Sequence, residues 1–377
     1  MSNLKIALFT GNYNHIKDGV SLTLNRLVRF LMDNGVEVLV FGPTIDKPEI
    51  DHEGEFVPVP SMSIPGRPEY RFSRAFPSGV RAKVEAFNPN IVHIATPDYL
   101  GYKAMNWARQ QNKTIVSSYH THFASYLKYY SLTFLEPLLW KYLRWFYSNC
   151  KQVYVPSESM VEVLEEKNIK ADFRIWARGI EEDKFSPEFR DEDWRKSKGF
   201  SPNDIVVTFV SRLVWEKNLM LFAEVLGKLT AKHDNVRAMV VGDGPAASGL
   251  KEQLPKGVYT GFLSGEKLSK AYASSDLFFF PSDTETFGNV TLEAMASGLP
   301  CIVADATGSK SLVDHGENGF LAPVEKKERF FDYVEQLILD DQLRKNMAQK
   351  SLEKAATYSW KVINGKLLAC YKEAVNK

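Results

Sequence analysis

Short apolar segments alternate with longer amphipathic ones along most of this 377-residue chain, and the series starts twice. The first series holds Lys5–Thr10, Val36–Phe41, Ile91–Ala95, Thr114–Tyr119 and Gln152–Pro156. The second holds Ile205–Ser211, Arg237–Gly242, Leu277–Pro281 and Pro300–Ala304. Continuous Val, Ile and Phe runs of this length are what parallel strands need when helices cover both faces of their sheet. Helical periodicity fills the intervals. In Ser21–Asn34, for example, Leu22, Leu24, Leu27, Val28 and Leu31 carry the helical pattern and Gly35 stands as the stop signal.

Strands alternating with helices predict an α/β fold with parallel sheets, here in two Rossmann-like halves. A length of 377 residues also suits two domains. The polar stretch Glu181–Asn203, with Pro187 and Pro202, reads as the linker between them. The expected domains are 1–185 and 200–357, with the amphipathic tail Tyr358–Val375 forming one last helix.

Composition removes several classes of function. Lys and Arg number 47 against 46 Asp and Glu, a net charge of +1, so the chain as a whole has no electrostatic grip on nucleic acid. Cys150, Cys301 and Cys370 are too widely spaced for a disulfide framework or a zinc cluster, which points to a reducing cytoplasm. No apolar run approaches the ~18 residues of a membrane span. The start, Met1 to Asn14, lacks the apolar core of a signal peptide. The expected location is cytoplasmic.

The sharpest motif runs from Phe280 to Pro300, with Glu285 and Glu293 eight positions apart. A strand precedes it and Val290–Ala296 reads as a helix, so Gly288 and Asn289 fall at a helix N-terminus, where free N–H groups attract an anion. A carboxylate on either side of a phosphate cradle, each able to accept two hydroxyls, is the layout a nucleotide-sugar requires; a capped helix with two surface glutamates is the plain alternative. Arg212 and Lys217 follow the second restart strand, where open α/β sheets bind ligands, and two cations there can neutralise a diphosphate without a metal. Gly242 and Gly244 match G-x-G-x-x-A only formally, and a close turn beside a nucleotide accounts for them equally well. Asp191 and Asp193 spell a D-x-D pair inside the linker, where a solvated charge run is expected. His120 and His122 follow a strand end with no third metal ligand nearby; His120 is placed to polarise a hydroxyl or phosphate. The segment from Tyr119 to Tyr147 carries eleven aromatics with Lys128, Lys141 and Arg144, which suits a buried core, a membrane interface or an acceptor groove.

Taken together, these motifs resemble the retaining GT-B glycosyltransferases of family 4. The resemblance covers nearly the whole chain: the Gly19 loop, Ser-Arg-Leu with Lys217, Gly-Asp-Gly, Glu285 and Glu293 followed by Ala-Met-Ala-Ser-Gly-Leu-Pro300, and Asp314 to Phe320 come in the family's order. Arg67-Pro-Glu-Tyr-Arg71 and Tyr119 to Tyr126 look most like the branch with sulfoquinovosyl-diacylglycerol synthase and the lipid mannosyl- and glucuronosyltransferases. The family's fold implies two Rossmann-like domains facing across a cleft, the last helix crossing back to the first. Its chemistry implies metal-free transfer of a hexose-type sugar from a UDP- or GDP-sugar, with no cofactor and with retention. The implied acceptor is a lipid or lipid-linked glycan at an anionic membrane surface, with no nucleic acid as partner.

Position by position, the resemblance gives Gly19 the donor phosphates, Arg212 and Lys217 the diphosphate, and Gly288, Asn289 and Val290 a supporting role through their amides. Glu293 would hold the ribose and Glu285 the donor-sugar hydroxyls. Gly242, Gly244, Phe262 and Phe287 join the donor side, the nucleobase lying against Gly261–Leu263. His120, near the transferred sugar, Tyr126 and Arg71 fall on the acceptor side. Ser211 and Asn218 stand where the family favours glycine, and Ala306 to Lys310 replaces a double glycine. Three other readings remain on the residues alone: an NAD-dependent oxidoreductase, which lacks a first-loop fingerprint; a glycoside hydrolase, whose acid would need a raised pKa that a helix N-terminus opposes; and a non-catalytic sugar-nucleotide-binding protein.

Overall fold

The computed structural model describes residues 4–64, 67–73, 76–119, 134, 136–285 and 287–376. The chain divides into two units, residues 1–177 with 361–377, and residues 178–360.

The first unit contains β1 (Lys5–Phe9), β2 (Glu37–Gly42), β3 (Glu55–Pro58), β4 (Ser61–Ile64), β5 (Arg67–Ser73), β6 (Ile91–Ile94), β7 (Thr114–Ser118), β8 (Gln152–Val155) and β9 (Phe173–Ile175). Seven of these form a parallel sheet in the order β3-β2-β1-β6-β7-β8-β9, while β4 and β5 make a separate antiparallel ribbon. Every residue of β6 and β8 is buried, as their unbroken apolar runs require. Phe9 and Phe41 stack at 4.6 Å between adjacent strands.

The second unit contains β10 (Ile205–Val210), β11 (Val236–Val241), β12 (Val258–Gly261), β13 (Leu277–Phe280), β14 (Cys301–Ala304) and β15 (Gly319–Ala322). They lie parallel in the order β12-β11-β10-β13-β14-β15. This doubly wound arrangement reverses direction between β10 and β13, which brings the loops leaving those two strands side by side at the strands' carboxyl ends. The rings of Phe209, Phe222, Phe279 and Phe280 pack within 5.2–5.5 Å of a neighbour in this unit.

The apolar runs locate the interior strands to within a residue or two. They miss β3, β9 and the β4–β5 ribbon, whose short, polar or half-exposed sequences carry no buried signature, and also β15, an edge strand that is mostly buried but only four residues long. Helix Gly19–Asp33 also begins two residues before Ser21, because Asp18 accepts the Ser21 amide and so caps it earlier.

The stretch expected as a linker is instead part of the second unit, which starts at Arg178 rather than at 200. Arg195, 1% exposed, donates to the carbonyls of Ser274 and Asp204, each at 2.7 Å, and to the Asp276 carboxylate at 3.1 Å. Asp191 caps the short helix Glu192–Ser197 through the Trp194 amide and pairs with Lys270. One arginine able to satisfy three acceptors turns a polar, charge-rich segment into a strap against the β13 entry. Trp360 lies against Gly179, where an added Cβ would fall 2.5 Å from its ring.

The last helix, Trp360–Asn376, belongs to the first unit from residue 361 onward. Its Tyr371 hydroxyl lies 2.7 Å from Nδ1 of the fully buried His93, whose Nε2 lies 2.5 Å from Ser118 Oγ. Burial pushes His93 down to about 3, so the ring stays neutral and both nitrogens are matched by hydroxyls. Glu373 adds an ion pair to Arg174. No helix among the described residues is long and apolar enough to cross a membrane. Tyr371→Phe strands one buried His93 nitrogen and should cost about 1–3 kcal/mol in urea unfolding; an unchanged midpoint would mean that this contact does not anchor the helix.

Candidate active site

The β10 and β13 loops supply the charged groups. After β10 the chain passes Arg212, makes a tight turn at Trp215–Lys217 and enters helix Leu219–Lys232. Asn218 sits at the junction with φ +56°, the left-handed region that asparagine tolerates better than most non-glycine residues. Its side chain donates to the Pro281 carbonyl at 2.9 Å and to Asp283 at 3.2 Å, tying the two loops together. Asparagine in the place of a glycine thus keeps the backbone shape and adds a cross-link.

Lys217 Nζ reaches across to Glu285, 68 residues on, donating to Oε1 at 2.5 Å and to Thr284 Oγ1 at 3.0 Å. Ser282 Oγ donates to the same carboxylate oxygen at 3.4 Å. The Lys217 and Glu285 side chains are only 18% and 19% exposed, so each needs the other's charge. Arg212, on the same loop as Lys217, is exposed and has no ion-pair partner among the described residues.

Gly288 precedes helix Asn289–Ala296 with φ +94° and no side chain caps the helix start. An added Cβ there would meet Ser309 Oγ at 2.9 Å, and one on Gly308 would meet the Glu285 backbone at 2.7 Å. The loop following β14 is therefore pressed against both Glu285 and the helix entry; of its two usual glycines, the one retained stands where nothing larger fits. Gly242 and Gly244 play a similar part, since Cβ atoms would fall 1.9 Å from the Ser211 carbonyl oxygen and 2.3 Å from that of Leu213. They serve backbone packing behind the Arg212 loop, which removes the dinucleotide fingerprint as a reason to invoke an oxidoreductase.

Glu293 departs from the sequence expectation. A carboxylate near a helix start was expected to stay ionised, yet burial lifts Glu293 to about 7. It is the fifth residue of its helix, past the first turn where the dipole acts, and it accepts one hydrogen bond from Tyr272 at 2.9 Å. Tyr272 carried no signal of this role, being 21 residues distant on another helix.

The remaining expected positions divide. Phe262, 76% exposed at the end of β12, presents a free ring. The Phe287 ring is buried and packs against Tyr358 at 6.0 Å. Val290 is half-buried one residue after exposed Asn289. In the first unit, Gly19 opens its helix with nothing within 4 Å of where a Cβ would stand. Arg71 is engaged within the ribbon by Ser61, through Oγ at 2.8 Å and the carbonyl at 3.3 Å. His120 and Tyr126 lie outside the described residues. From the aromatic segment, Tyr119, Trp140, Phe146 and Tyr147 are core. His15, which sequence reasoning passed over, is 3% exposed with Nδ1 on the Pro43 carbonyl at 3.1 Å.

Comparison with known proteins gives two family matches, "Glycosyl transferases group 1" over residues 190–354 and "Glycosyltransferase Family 4" over residues 17–184. A GDP-mannose-dependent alpha-mannosyltransferase of Corynebacterium glutamicum is 31% identical over 99% of this chain and 89% of its own length. The sulfoquinovosyl transferase of Arabidopsis thaliana is 30% identical over 93% of this chain and 69% of its own. An alpha-monoglucosyldiacylglycerol synthase of Streptococcus pneumoniae is 28% identical over 79% and 70%. Among solved structures, the sucrose-phosphate synthase of Thermosynechococcus elongatus superposes with a TM-score of 0.70 over 98% of this chain and 99% of that one, at 18% identity, a likeness of fold.

The Glu293 shift gives a pH signature. Its folded value lies above the ordinary carboxyl range, so its contribution to stability is complete below about pH 4.5 and is lost as pH rises through about 7. Glu293→Gln cannot ionise, so its stability minus that of the wild type should grow across that window by about 1–3 kcal/mol. Thermal unfolding at a series of pH values measures this, and a flat difference would contradict the burial argument.

Proposed function

The chain belongs to the group 1, family 4 glycosyltransferases and has their GT-B fold, and on that premise we propose that it is a retaining, metal-independent hexosyltransferase. The donor is a UDP- or GDP-sugar and the acceptor is a hydroxyl on a lipid or lipid-linked glycan. The observation that carries this reading is the Lys217–Glu285 pair at the reversal point of the second sheet, with unpaired Arg212 beside it.

A nucleoside diphosphate brings more negative charge than Arg212 alone can match. Lys217 can turn from Glu285 to the phosphates, with the open helix start at Gly288, Asn289 and Val290 adding backbone donors. Glu285, released from its lysine, is then free to accept hydroxyls of the donor sugar. Glu293 accepts the ribose hydroxyls once ionised, and Phe262 offers an exposed ring to the base. These groups come from the segments that follow β10, β12 and β13 of one sheet.

The transfer itself needs no protein nucleophile in this scheme. The acceptor oxygen approaches the anomeric carbon on the face the diphosphate leaves, the C–O bond to phosphate breaks, and a departing phosphate oxygen takes the acceptor proton. Arg212 and Lys217 lower the barrier by stabilising charge on the leaving group. His120, Tyr126 and Arg71 are assigned to the acceptor side. The diacylglycerol-glucosylating relative supports a lipid acceptor, and with it a working position at a cytoplasmic membrane surface.

Glu285→Ala should lower sugar transfer by about a hundredfold or more, while nucleoside diphosphate affinity holds or tightens because Lys217 is freed. Steady-state transfer assays with parallel calorimetric titration measure both. Transfer at the wild-type rate would remove Glu285 from the reaction.

A further inference from the structure

The two carboxylates of the second unit are held by opposite means. Glu285 meets a cation, whereas Glu293 meets a neutral phenol: Tyr272 donates to its Oε2 at 2.9 Å. The phenol is fixed in place. Tyr272 stands near the end of helix Glu266–Ala273, fully buried, with the Phe185 ring edge-on at 5.7 Å and the Phe278 ring at 6.1 Å. Burial holds its hydroxyl well above the ordinary phenol range, so it remains a donor on both sides of neutral pH.

A permanent donor on one side makes the two oxygens of Glu293 unlike. Oε2 is committed to Tyr272. Oε1 has no partner among the described residues and is not sealed from water, the residue as a whole being half-buried. A carboxyl proton settles on the oxygen that is not already accepting one, which is Oε1. The surroundings favour that neutral form. Glu181, itself paired with Lys184, adds a like charge nearby, and Cys301 on β14, close to Tyr272, is a thiol that burial keeps neutral. Among the described residues no other charge acts on Glu293: β13, packed on the same helix, is wholly apolar, and helix Asp341–Ala356 directs none at it.

Resting on the donor reading above, we propose that Tyr272 is a positioning residue for the donor's ribose: by holding Oε2 it confines the carboxyl proton of Glu293 to Oε1, and a bound diol expels that proton to water. Two vicinal hydroxyls both donate, and Oε1 offers them two lone pairs only after its proton has gone. The proton passes from Oε1 to solvent, and the diol's hydroxyls with the Tyr272 bond then hold the charge left behind. Binding of the nucleotide and ionisation of Glu293 are one event. The folded value of about 7 sets this exchange at neutral pH. Because the ligand selects the ionised form, affinity should fall about tenfold for each pH unit below that value and level off above it.

Calorimetric titration of the full chain with UDP and GDP across neutral pH, in pairs of buffers with different ionisation enthalpies, counts the protons released. At about pH 7 the diphosphate that binds should release about half a proton per site, and its 2′,3′-dideoxy form, which lacks the diol, almost none. The terminal phosphate itself titrates near ~6, and the dideoxy form supplies that baseline. Glu293→Gln should release nothing beyond the baseline with either form. Tyr272→Phe keeps the ring packing and removes the donor, so the pH at which Glu293 ionises should move up. It should bind the diphosphate about tenfold more weakly at about pH 7 and recover towards about pH 9. A packing defect would not be repaired by raising the pH. If Tyr272→Phe unfolds, the difference between the two ligand forms on wild type still decides. Equal proton release by both forms, or a Tyr272→Phe loss of one size at every pH, would overturn the assignment. Wild type that binds neither UDP nor GDP would instead strike the donor reading itself.

Discussion

The Lys217–Glu285 ion pair is the contact around which the second unit's chemistry is arranged. It exists because strand order reverses between β10 and β13, so that two loops 68 residues apart in sequence leave the sheet side by side. Both side chains are mostly withdrawn from water, and either one alone would be an uncompensated, largely buried charge. The pair resolves that problem, each charge compensating the other. In the proposed reaction the cation turns to the phosphates and the carboxylate to the sugar hydroxyls, so the diphosphate exchanges one set of partners for another.

The backbone around this pair is held by positions without side chains. Gly242 lets the β11 loop close against Ser211, and Gly308 lets the loop after β14 lie on the Glu285 backbone. A Cβ at either place would clash with the adjoining main chain and force the loop to shift. Asn218 fulfils the same conformational demand by another route, adopting the left-handed region and using its amide to bind the neighbouring loop. The rigid half of the site is thus made by close contacts of main chain, which leaves the few polar side chains free to be specific.

Much of this was legible in the sequence. The interior strands announced themselves because burial on both faces demands unbroken apolar runs, and the site motifs were found because they follow those strands. What escaped notice had no local signature. The ribbon strands are short and half-exposed, Tyr272 meets Glu293 only through the fold, and Arg195 looked like one charge among many in a polar stretch until its three acceptors were assembled around it. The ionisation expected for Glu293 was misjudged for a related reason: helix position can be counted along the chain, whereas desolvation depends on what packs above it.

The most direct test of the account is calorimetric titration of UDP and GDP into the wild-type protein and Arg212→Ala, in buffer containing EDTA. The account predicts that one of the two diphosphates binds wild type without metal and that the variant binds it about tenfold or more weakly, the loss expected when a charge-assisted contact to phosphate is removed. Binding that appears only on adding a divalent cation, or that Arg212→Ala leaves untouched, would contradict it.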